Sequence, residues 1–281
     1  MERDHRNVRR AVWAGQFYPS DPEQLSREIA GYLDQAGGGG VERSVVGLLA
    51  PHAGYVYSGP VAGSAYASVR DRSFDRVVVL APSHRIAFTG ASVWPAGAYE
   101  TPLGAIPVDE EACARLLEKG AGIVREKPEA HLQEHALEVQ LPFLQTALAG
   151  PFRLVPLVVG TGELSFAREL ARLLAEEIGR DGTLYVASSD LSHFHTYDDA
   201  CRIDALLLDL LERLEMEKLA GALENGETEA CGAGPILTVA AASRDHFHGR
   251  AKLLSYANSG DTAGGRREVV GYASFAFLAE E

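Results

Sequence analysis

A single layered α/β domain, with a central mostly parallel or mixed sheet and helices on both faces, is the fold this 281-residue sequence predicts. Short, mostly apolar runs at 45–50, 76–81, 152–159 and 183–188 read as strands buried on both faces, and patterns of helical period separate them. No linker-like stretch interrupts the chain, so 8–281 reads as one domain behind a flexible segment 1–7.

After the charged opening MERDHRNVRR, Trp13, Phe17 and Tyr18 enter a turn. Ser20, with Pro22 and Glu23 behind it, predicts a capping box before a helix whose apolar face is Leu25, Ile29, Tyr32 and Leu33. The glycine run 37–40 lacks the Lys-Ser/Thr pair of a phosphate loop and reads as a flexible connector. Strand 45–50 stops at Pro51 and delivers His52; Gly54 and Gly59 suit a tight turn there, and the small residues after Pro60 suit a closely packed helix. Strand 76–81 runs into Pro82, Ser83 and His84, repeating that grammar. A short strand at 91–95, a hairpin or loop over 99–107 and a helix from Asp109 to Leu117 follow.

Residues 131–148 predict one helix with a stripe of Leu137, Leu141, Leu144 and Leu148, kinked at Pro142, and with His135 and Glu138 off the stripe. Strand 152–159 and helix 164–178 lead to strand 183–188, which runs into Asp190, His193 and His195. Helices around 203–214 and 216–223 come next. Cys231 lies in a glycine-rich turn that opens a helix at Pro235, a place where thiol pKa values are lowered. Strands at 252–256 and 269–277 end the order.

The net charge of −13, without a basic cluster, argues against nucleic acid and against an anionic membrane surface; a small-molecule substrate fits better. No apolar stretch approaches the roughly 18 residues of a membrane span, and the opening has no signal-like apolar core, so a cytoplasmic location is expected. Three cysteines, Cys113, Cys201 and Cys231, favour reduced thiols over a disulfide framework.

Three strand ends that each deliver histidine, and a cysteine at a helix start, can meet at one crevice of an open α/β sheet. Two imidazoles and a thiolate suit Fe(II), Zn or Cu, and three protein ligands leave positions open for water, oxygen or substrate. Each residue also has a plain reading: a hydrogen-bonded structural histidine, or a small buried cysteine. Asp190 either orients His193 as a general acid or base or caps the next turn. Ser192 lacks a G-x-S-x-G elbow. Phe17, Tyr55, Tyr57 and Trp13 suit pocket walls or ordinary packing.

PHAGYVYSG at 51–59, APSH at 81–84, EHALEVQLPFL at 134–144, SSDLSH at 188–193, the ACG around Cys231 and AGQFYP at 14–19 resemble the Memo family, the mediators of ErbB2-driven cell motility, whose prokaryotic members are called AmmeMemoRadiSam system protein B. The resemblance covers nearly the whole chain. It implies a fold like that of the class III extradiol (LigB-type) dioxygenases, non-haem iron enzymes with two histidines and a glutamate as ligands and a further histidine as acid/base. Carried over by motif, His52 and His84 are metal ligands, Cys231 stands at the glutamate position, His193 takes the acid/base place beside Asp190, and His135, Phe17 and Tyr57 line the pocket. A thiolate in place of a carboxylate alters the metal's potential and is itself oxidisable, so ring cleavage does not carry over with the fold. The group's name implies links to an AMMECR-type protein and a radical S-adenosylmethionine enzyme.

The leading expectation is a mononuclear oxidoreductase with Fe(II) preferred and Cu or Zn as alternatives. A metal-dependent hydrolase with Glu138 or His193 as base, and a non-catalytic ligand- or peptide-binding protein, are the other two.

Overall fold

The computed structural model describes residues 7–37 and 44–280. Residues 1–6 and most of the glycine connector lie outside them. Among the described residues, four strands form the parallel centre of a nine-stranded sheet, in the order Val45–Ala50, Thr183–Ser188, Arg76–Pro82 and Arg153–Val159. Their runs of Val, Leu and Ala are almost wholly buried, as strands covered on both faces must be. Val269–Leu278 joins Val45–Ala50 antiparallel and in turn pairs with Arg250–Asn258. On the opposite side Ala91–Val93 pairs antiparallel with Arg153–Val159 and carries Val124–Glu126. The α/β class and mixed sheet expected from the sequence are therefore present.

Two helix layers cover this sheet. Pro22–Gln35, Tyr55–Ala67 and Gln140–Ala147 pack on one another, and Leu164–Glu177, Ala233–Ala241 and Met216–Glu224 form the other group. Tyr55–Ala67 lies close enough to its neighbour that a methyl group on Gly63 would sit 2.7 Å from the Tyr32 carbonyl oxygen. Small residues in that helix are thus required by the approach of backbones.

Several local expectations change. The first helix is capped by Asp21, whose side chain accepts from Gln24 N, and not by Ser20. The helix after His52 starts at Tyr55, so Gly59 and Pro60 lie inside it and only Gly54 serves the turn. Segment 131–148 is three short helices, Glu129–Leu132, His135–Glu138 and Gln140–Ala147, and Pro142 kinks none of them. The break before His135 occurs because Glu134 leaves helical geometry (φ −84, ψ 123) and caps Ala136 N with its side chain. Val8–Arg9, at the start of the expected domain, pairs parallel with Ala98–Thr101, which pairs antiparallel with Gly104–Pro107.

Candidate metal centre

All four parallel strands point their carboxyl ends the same way, so the loops after Ala50, Pro82 and Ser188 emerge on one side of the sheet. That register brings His52, His84 and His135 together: one ring nitrogen from each lies within 4.8 Å of the others. The rings of His84 and His135 stack at 4.6 Å between centroids, and His52 stands edge-on to both, at 5.1 and 5.4 Å. Cys231 reaches the same place from the turn before Ala233–Ala241, its Sγ 3.1 Å from His52 Nε2. Of the two imidazoles and thiol anticipated as ligands, His52 thus touches both groups, and His135 joins them.

The supports are polar and buried. Glu134 accepts from His84 N at 2.7 Å and from His84 Nδ1 at 2.9 Å. Its burial opposes ionisation, yet the hydrogen bond and charge of His84 hold its carboxyl below the usual range. The Asp190 carboxylate accepts from His52 N at 2.7 Å and Ala53 N at 3.3 Å, which anchors the loop carrying His52. Burial pushes Asp190 up to about 6. His193 lies close enough to bear electrostatically on His52 and Asp190. Its Nδ1–H donates to the Leu191 carbonyl at 2.7 Å. Phe17 packs at 4.6 Å on the His135 ring, with Trp13 edge-on to both, so these two are the aromatic wall.

Other anticipated roles change. Tyr55 is buried and donates to the Val139 carbonyl, a structural post rather than a pocket wall. Glu138 is completely buried, its oxygens taken by Arg9, Val12 N, Trp13 N and the Tyr18 hydroxyl, so it has no capacity left to act as a base. Tyr57 is exposed, as are Val56, Leu132 and Phe194. The Ser192 hydroxyl is buried next to the Asp204 carboxylate, which accepts from Ser192 N at 3.0 Å. Cys231, expected to have a lowered pKa, has it raised by burial and by the Asp190 charge; the helix start does not outweigh these. Glu134 and Ser188 carry more of the site than their sequence context suggests, because their partners are supplied by the fold.

Burial also keeps His52, His131 and His135 neutral. His52 is held well below its ordinary value by burial and then by the neighbouring histidines, and burial lowers His135 to about 4 and the structural His131 to about 3. A neutral imidazole is the form that can donate a lone pair. The unfolded chain binds protons on these rings below roughly pH 6.5, whereas the fold does not, so acid favours unfolding. For the metal-free protein, moving from pH 8 to pH 5 should cost about 2 kcal/mol for each of His131 and His135, with about 1 kcal/mol returned as Asp190 protonates. Urea unfolding at the two pH values should show a net loss of about 3 kcal/mol or more, since His52 acts in the same direction. A flat profile would mean that these rings are charged in the fold.

Comparison with known proteins bears on the family and the fold. The family described as Memo-like protein matches residues 9–276. A MEMO1 family protein of Aeropyrum pernix is 41% identical over 279 residues, covering 94% of this chain and 98% of its own. One of Ignicoccus hospitalis is 39% identical, with 96% and 98% covered. Among solved structures, an uncharacterized protein of Escherichia coli K12 superposes with a TM-score of 0.54 at 17% identity, over 82% of this chain and 98% of that one, which speaks for the fold alone.

Proposed function

The chain belongs to the Memo family, and on that premise we propose that it is a mononuclear metal-dependent oxidoreductase, with Fe(II) preferred, acting on a small electron-rich substrate. The observation that carries this reading is the convergence of three imidazoles, with a thiol 3.1 Å from one of them, at the carboxyl ends of parallel strands. The donor set fits a borderline-soft divalent ion. His135 Nδ1 is buried and makes no hydrogen bond, with the Glu134 carboxylate 3.3 Å away as its charged neighbour.

In this reading His52, His84 and His135 hold the ion, and Cys231 lies ready as a further donor. When bound, iron would supply the electron exchange between oxygen and substrate. The chain's own residues do the rest. Phe17 and Trp13 close one wall against water, and Arg85 lies over the Trp13 ring. His193, oriented by the Leu191 carbonyl, moves a proton at Nε2. Asp190 keeps the His52 loop in place.

The test is oxygen uptake by anaerobically prepared, Fe(II)-loaded protein against a panel of small phenols and catechols. Uptake should require both metal and substrate and fall by about 10²–10⁴ in His193→Gln. A triad of histidines is also the set that holds catalytic zinc in hydrating enzymes, which favours hydrolysis as the second reading. Turnover that persists without oxygen and follows zinc would establish that reading instead. Glu134→Gln removes the charge that orients His84, and isothermal titration should show Fe(II) affinity reduced by about 10–100-fold. Unchanged affinity would separate Glu134 from the metal.

A further inference from the structure

His52 is held from behind by Ser188, the last residue of its strand, which is fully buried. The Ser188 hydroxyl oxygen lies 3.0 Å from His52 Nδ1, 2.7 Å from the Ala136 carbonyl oxygen and 2.7 Å from Gln140 Nε2. A serine hydroxyl has one proton, and a carbonyl oxygen can only accept. Ser188 therefore donates to Ala136 and accepts from the other two. The Gln140 amide is oriented independently, because its oxygen accepts from the Tyr66 hydroxyl at 2.7 Å and its nitrogen also donates to the Pro51 carbonyl at 3.0 Å. An acceptor at Ser188 requires the proton of His52 to be on Nδ1. A neutral imidazole carries one N–H, so Nε2 keeps its lone pair, and Nε2 is the atom that faces Cys231 Sγ at 3.1 Å.

We propose that Ser188 is a positioning residue that fixes His52 in its Nδ1–H tautomer and, through the same hydroxyl, ties that ring to the backbone beside His135. One oxygen thereby sets both the direction of a lone pair and the spacing of two histidines contributed by different elements. Glu134 does the corresponding work for His84, but as a carboxylate it adds charge; Ser188 orients His52 without adding any. The proposal rests on the metal-centre reading for its purpose, though its geometry does not depend on a metal.

The experiment is ¹⁵N NMR of histidine-labelled, metal-free protein at neutral pH, followed by Fe(II) titration. In wild type, His52 should show a protonated Nδ1 and a bare Nε2. In Ser188→Ala the His52 signals should move toward a tautomer mixture while those of His84, held by Glu134, stay unchanged, and Fe(II) affinity should fall about 10–100-fold. A protonated Nε2 in wild type overturns the proposal without any variant being needed. So does a Ser188→Ala protein with native His84 signals that keeps the wild-type His52 tautomer. If wild type binds no metal but the His52 tautomer still depends on Ser188, the metal reading fails and the positioning role stands.

Discussion

His52→Ala protein, purified without oxygen or chelator and offered Fe(II), should retain no stoichiometric iron, whereas wild type should hold about one ion per chain. The effect is expected to be the largest of any single change at the centre, because His52 is shared by the three-imidazole group and by the contact with Cys231. It should exceed the roughly 10–100-fold loss expected when a supporting residue is removed. Unfolding experiments give a second readout. Metal at about 100 times its Kd should stabilise wild type by about 2.7 kcal/mol and leave the variant unmoved. Cobalt substitution then assigns the remaining donor: a thiolate-to-cobalt band that disappears in Cys231→Ala places sulfur on the metal, and its absence leaves the histidines as the ligands. Wild-type protein that takes up no metal after reconstitution would sink the oxidoreductase and hydrolase readings together.

Arg9→Met should lower stability by about 3–5 kcal/mol in urea unfolding, the cost of leaving a buried carboxylate unpaired. Arg9 is 1% exposed, pairs with the fully buried Glu138, and donates to the carbonyl oxygens of Arg10, His131 and Glu134 at 2.8, 3.1 and 2.8 Å. These bonds hold the broken segment that carries His135 in position, so Fe(II) binding should weaken as well. Arg9→Met combined with Glu138→Gln should recover part of the stability, because the amide removes the uncompensated charge and keeps an acceptor for Trp13 N and Tyr18. A loss below about 1 kcal/mol in the single variant would show that Glu138 finds water or another partner.

The legible and illegible parts of the sequence divide along physical lines. Runs such as RVVVLA and TLYVAS announce buried strands because both faces demand apolar residues, and His52 and His84 announce themselves by following such runs. Arg9 does not. Within MERDHRNVRR it looks like any solvated arginine, and its partner Glu138 lies 129 residues away. The leucine period through 131–148 hides two breaks, since Leu137, Leu141, Leu144 and Leu148 are all buried although they belong to different short segments. Glu134 is among the poorer residues for capping a helix, and it takes that position because the same carboxylate also receives His84. Ser188 is indistinguishable in sequence from Ser189 beside it; only the strand register turns it toward His52.

The long-range reach of the centre has a consequence for how the cell would obtain working protein. His52 is joined to Asp190 across 138 residues and to Cys231 across 179, and the aromatic wall comes from Trp13 and Phe17. Contacts of such separation close slowly and need most of the chain to be in place. A nascent chain therefore exposes no finished site until synthesis is nearly over, and under the proposed metal-dependent reading an ion would be acquired by protein that has already folded. Scarcity of metal would then leave a reserve of intact, inactive molecules, and resupply would restore activity within the time of diffusion and exchange, without new translation.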